Sequence, residues 1–96
     1  MKTYQVWTGT RNWQDIDADS EVIIFEGEEL GVWESNSGDH GVTYSVYRTD
    51  EGILIHEYEW IDDIDETRRG TVYEFETLED AAREFRYVLQ MAGVIE

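Results

Sequence analysis

The hydrophobic period of this chain changes once, just after Phe75, and the change narrows the fold class more than any other feature. Upstream the period is 2. Val42, Tyr44 and Val46 alternate with Thr43, Ser45 and Tyr47. After a break at Thr49-Asp50-Glu51-Gly52, Leu54, His56, Tyr58 and Trp60 fall on one side and Ile55, Glu57 and Glu59 on the other. Successive side chains of an extended strand point to opposite faces, so this spacing specifies strands. The Gly-containing break between them specifies an antiparallel hairpin over residues 42–61. Thr71–Phe75 repeats the alternation beyond a charged stretch, residues 62–70, and returns as the next strand of a meander. Downstream the period is 3.6. Leu78, Ala81, Ala82, Phe85, Val88 or Leu89, and Ala92 make one apolar face, which predicts a helix over about residues 78–92. Thr77 is its expected N-cap, with Asp80 in capping-box register, Glu79 in the first turn and Gly93 as the residue that ends it.

The first half is less regular. Lys2–Thr8 alternates and reads as a strand, followed by a polar connection over residues 9–20. Val22-Ile23-Ile24-Phe25 is a β-branched and aromatic run, a second strand that Glu26-Gly27-Glu28-Glu29 breaks. Residues 31–35 read as a short third strand and residues 36–41 as a loop. The expected fold is α+β, a single domain over residues 1–96. It is a mainly antiparallel sheet of roughly four to six strands, in hairpins and a meander, with the C-terminal amphipathic helix packed on one face. One helix covers one face. The other face is solvated, closed by curling of the sheet, or covered by a second copy in a homodimer.

Charge sets the surface. The chain carries 23 Asp and Glu against 7 Lys and Arg, a net charge of -16. Acidity of this order disorders a chain that lacks apolar residues, but here 41% are hydrophobic and 14% aromatic, and the acids are threaded through the periodic segments. The expectation is therefore a folded domain with an acidic skin. Direct binding to nucleic acid or anionic lipid is excluded by the want of basic patches. There is no Cys, so disulfides, thiolate chemistry and cysteine-held zinc are excluded too. No stretch has the length of a membrane span and the N-terminus lacks an apolar leader, which predicts a soluble, cytoplasmic protein.

Few residues carry a chemical signature. Asp15, Asp17 and Asp19 at alternate positions, with Glu26 seven residues after the last, resemble the calcium loop of the EF-hand family at its first three ligand positions and its terminal glutamate. The resemblance implies a calcium site. It spans residues 15–26 and departs from the family at Ser20, where the loop has Gly, and at Ile23, which offers no side-chain ligand. No other cofactor is implied. His56 reads as a partly buried strand histidine and His40, beside Asp39, as a polar turn residue. Glu57, Glu59 and Glu74 are the carboxylates that strand pairing could bring together for acid–base work. Arg68-Arg69 is the one adjacent basic pair and reads as local charge compensation. Trp7, Trp13, Trp33 and Trp60 read as core residues or protein contacts.

Two explanations of the acidity remain open. In composition the chain resembles small phage and plasmid anti-restriction or anti-CRISPR proteins, whose carboxylates stand in for phosphates. Its -16 equals the phosphate charge on roughly 27 Å of duplex. The composition also looks like that of cytosolic proteins from salt-loving archaea, where molar salt screens like charges to about 3 Å. The even spread of acids and the single Lys favour the second. The resulting expectation is a non-enzymatic interaction or regulatory module with a halophile-type surface and a protein partner of basic character. Its expected interaction residues are Asp62, Asp63, Asp65 and Glu66 with Glu57, Glu59 and Trp60. The alternatives are a nucleic-acid mimic, and a small metal-binding domain or enzyme using Asp and Glu.

Overall fold

A computed structural model of the chain describes residues 2–11, 21–62 and 67–96. Strands β1 (Lys2–Arg11), β2 (Glu21–Ser37), β3 (His40–Thr49), β4 (Gly52–Ile61) and β5 (Thr67–Phe75) precede helix α1 (Leu78–Met91). Every ladder is antiparallel, and β1 returns to pair with β5, so the sheet closes into a barrel.

The β3–β4 hairpin follows from its sequence. Thr49 lies opposite Gly52, whose φ of 135° suits a glycine at the turn, and the register runs on to His40 opposite Ile61. Beside it β5 aligns Phe75 with Ile53 and Thr67 with Ile61, so β5 begins at Thr67 where only Thr71 was expected. Both faces of this meander are covered. Ile53 and Ile55 of β4 and Val46 of β3 meet Ala81 and Leu89 of α1. On the opposite face Leu54 and Tyr47 meet Val6 of β1, with Tyr4, Ile23, Phe25 and Val72 around them. The face that the helix leaves bare is thus closed by curling, with the β1–β2 hairpin folded across it.

That curling depends on β2, which corrects the expected pattern in this stretch. Glu26-Gly27-Glu28-Glu29 does not break the strand, and residues 36–41 are not all loop; β2 is continuous over 17 residues. Its first part pairs with β1, as far as Lys2 opposite Gly27, and its second part with β3, starting from Gly27 opposite Thr49. A Cβ on Gly27 would stand 2.3 Å from the carbonyl oxygen of Arg48, so glycine is required where the strand changes partner. A register shift between Glu29 and Gly31 then bends β2. The turn to β3 is confined to Gly38 and Asp39, with Gly38 at φ 66°.

Helix α1 begins and ends as its sequence predicts. The Thr77 hydroxyl accepts from the Asp80 amide at 3.1 Å. At the other end Gly93 takes φ 78°, its amide donates to the Gln90 carbonyl at 3.1 Å, and the Val94 amide to the Leu89 carbonyl at 2.9 Å. This is a Schellman closure with Val94 and Leu89 in one apolar cluster. Phe85 departs from helical angles (φ -123°, ψ 33°) where its ring meets Tyr44, Tyr73 and Phe75. No helix of the described residues is long and apolar enough to cross a membrane.

Candidate binding cleft

The partner change in β2 leaves one corner of the barrel open. Upstream of Gly27, β2 is laddered to β1 alone. Past Gly70, β5 is laddered to β4 alone, because its pairing with β1 is limited to Arg68, Arg69 and Gly70. Between these two stretches lies a cleft of about 750 Å³. Ile23–Glu26 of β2 forms one wall, Glu74–Glu76 the other, and Thr49–Glu51 of the hairpin turn the end. Ile53 and Leu54 line it as well; they are only 5% and 4% exposed, so the cleft reaches down to the core.

The rim is of one sign. Glu26, Asp50, Glu51, Glu74 and Glu76 line the cleft, all of them exposed, and among the described residues no Lys or Arg does so. Arg48 lines a smaller adjoining recess with Thr77 and Leu78. Low-dielectric walls beneath carboxylates of one sign concentrate the local potential and draw cations. Among the described residues no group of three or more His, Asp or Glu converges to hold a metal ion.

At the corner where β1 meets β5 stands His56. It is 8% exposed, and its Nε2 lies 2.8 Å from the carbonyl oxygen of Trp7. A carbonyl can only accept, so Nε2 carries the proton and donates. Burial pushes the imidazole pKa below its ordinary value, against the opposing pull of that carbonyl and of Glu57. His56 therefore acts as a neutral tie between β4 and β1, as expected of a satisfied strand histidine. Gly70 makes room here, since a Cβ on it would lie 2.3 Å from the Trp7 oxygen.

The remaining expected site residues are dispersed. Asp15, Asp17 and Asp19 lie outside the described residues, as do Trp13, Asp63, Asp65 and Glu66. Glu26 is on the cleft rim. Glu57 and Glu59 share the helix-side face of β4, while Glu74, two residues from Val72 opposite His56, belongs to the other face and does not join them. Glu57 faces Tyr44 across the ladder. Burial and a hydrogen bond to Glu57 push the Tyr44 phenol well above its ordinary pKa. Tyr73 is raised as well, by burial and then by Glu57 and Glu84. Glu59 pairs with Arg69 at 3.5 Å, whereas Arg68 donates to the carbonyls of Ile61 and Thr67 at 3.3 and 3.0 Å. Charge compensation thus holds for Arg69, and Arg68 ties the ends of β4 and β5. The Trp60 ring lies over Gly41, where a Cβ would come 2.6 Å from its Nε1. Asp62 is exposed and its amide donates to the Asp39 carbonyl at 2.7 Å. His40 pairs with Asp39 at 3.3 Å on the surface.

Asp50 and Glu51 have the composition of a turn and Glu76 no pattern of its own, although the meander contains the signal that joins them. Placing Ile53 opposite Phe75 brings the turn at Asp50-Glu51 beside the end of β5. Compared with known proteins, the chain matches no family model, no curated protein and no solved structure.

Proposed function

We propose that this protein is a non-enzymatic interaction module whose corner cleft receives a positively charged segment of a partner protein. The observation that carries the reading is the cleft itself: apolar depth beneath five exposed carboxylates, with no base lining it. Carboxylates elsewhere lie on other faces, with Glu57 and Glu59 on the helix side of β4. This spread favours a halophile-type acidic surface over a one-sided phosphate-like track. The cleft is a local feature within that surface, and its apolar depth is what a general solvent adaptation does not call for.

The test is a salt series of titrations with a lysine-rich peptide and with its glutamate-rich counterpart, followed by tryptophan fluorescence. The lysine peptide is expected to bind and to weaken as salt rises. Exposed charge pairs contribute about 0.2–1 kcal/mol each. Neutralising Asp50, Glu51 and Glu74 together (D50N, E51Q, E74Q) is therefore expected to lower affinity by about 3- to 150-fold. Equal binding by the triple variant and the unaltered chain would remove the cleft from the interaction.

A further inference from the structure

The wall of the cleft formed by β2 has two properties that no rim of carboxylates requires. Among the described residues its backbone is laddered on one side only, since Glu21–Gly27 pairs with β1 and pairing with β3 starts at Gly27. Alternate N–H and C=O groups of an antiparallel strand point away from its partner, so the cleft side of Val22–Glu26 presents free donors and acceptors. The same stretch also carries exposed apolar side chains. Ile24 is 67% exposed and Val22 50%, on the face turned away from the core. A strand end that is unpaired along its edge, apolar on its outer face and flanked by acids is complementary to one kind of occupant.

We infer that an extended segment of the partner, with basic and apolar residues in alternation, adds to the free edge of β2 at Val22–Glu26. This rests on the proposed reading of the cleft and specifies the form of its ligand. Main-chain hydrogen bonds supply the pairing, and side-chain alternation supplies the selection. Every second side chain of the added strand lies beside Val22, Ile24 and Glu26; the others turn to the opposite side, toward Glu74 and the turn carboxylates Asp50 and Glu51. Charge complementarity decides between occupants. A second copy of this chain, itself at -16, pairing antiparallel over this stretch would set Glu21 of each copy opposite Glu26 of the other, and like charges directly opposite destabilise a sheet.

The probe is a peptide of alternating lysine and valine long enough to span Val22–Glu26, compared with the same peptide N-methylated at alternate residues. N-methylation removes donors and leaves charge and side chains in place. Affinity is measured by fluorescence, and backbone protection by hydrogen exchange on the full chain. The expected result is protection of Val22–Glu26 by the unmodified peptide and at least about tenfold weaker binding of the methylated one. Ile24→Ser, at an exposed position that leaves the core untouched, is expected to weaken the unmodified peptide as well. Equal binding of both peptides without protection overturns strand addition while leaving the cleft as a receptor for cations. Failure of both peptides to bind overturns both readings. Protection at Thr71–Phe75 or beyond Glu28 overturns the assignment to this edge. Peptide-free association that protects Val22–Glu26 makes a second copy the occupant and overturns it too.

Discussion

Acidification should weaken this fold through one imidazole. His56 is buried at the corner that joins β4 to β1, and its Nε2 donates to the Trp7 carbonyl at 2.8 Å. The neutral ring meets that demand. A proton added at Nδ1 places a full charge in a site only 8% exposed, so the folded chain takes it up less readily than the unfolded chain. The sign follows from linkage. Above the ordinary histidine value of about 6.5 both states are neutral at this residue, and the stability it contributes is fully present. As pH falls below that value the unfolded state binds the proton first, and stability declines until the lowered folded pKa is passed. One proton sets the steepest slope, about 1.4 kcal/mol per pH unit. For a urea dependence of about 1–3 kcal/mol per molar, the unfolding midpoint moves by roughly 0.5–1.4 M per pH unit.

The assay is urea unfolding followed by tryptophan fluorescence between about pH 7.5 and 5.5, at constant ionic strength, on the unaltered chain and on His56→Gln. Glutamine can donate to the Trp7 carbonyl and does not titrate. The many carboxylates and the exposed His40 are common to both proteins, so their contribution cancels in the difference. That difference should be flat above about pH 7 and should fall, to the disadvantage of the unaltered chain, below about 6.5. A difference independent of pH across the range would refute the argument. A difference of opposite sign would show that the folded state prefers the charged ring, so that Glu57 outweighs burial.

Two further outcomes follow from the buried phenols and from the cap of α1. Tyr44, Tyr47 and Tyr73 all have phenols raised by burial, so alkaline titration of phenolate absorbance should show a late-ionising fraction above the ordinary value of about 10; Tyr44→Phe should remove its latest component, and a single step near 10 would contradict the packing. Thr77→Ala removes the hydroxyl that caps Asp80 and should cost about 1 kcal/mol, read as a fall of roughly 4–8 °C in Tm, with Thr77→Ser restoring most of it.

The parts of the fold that were legible in the sequence are those whose information is local. The hairpin at Thr49–Gly52 declares itself by period and by its glycine, and α1 by period, Thr77 and Gly93. β2 was misread because Glu26-Gly27-Glu28-Glu29 has the composition of a turn. What keeps it extended is an exchange of partners, from Lys2 to Thr49 at the same glycine, which depends on residues far away in the chain. The cleft was missed for the same reason. Its acids come from three separate places, Glu26, Asp50-Glu51 and Glu74 to Glu76, and only the combined registers of four strands gather them. The carboxylates grouped by sequence, Glu57, Glu59 and Glu74, are divided between two faces because Glu74 falls on the parity of Val72.

Salt separates the two meanings of the charge. At about 0.1 M the screening length is about 10 Å, so the net charge of -16 opposes folding while the rim of the cleft attracts cations. At about 1 M it is about 3 Å, and both effects shrink to contact pairs. A module that works in molar salt can therefore take little affinity from its rim. What salt does not screen is apolar contact and main-chain pairing, and excluded salts strengthen the former. The two exposed apolar residues on the unpaired edge of β2, Val22 and Ile24, are placed to supply it. Under the proposed function, the carboxylates in molar salt would discriminate among partners through contact pairs alone, while Val22, Ile24 and the backbone beside them would determine whether a partner stays.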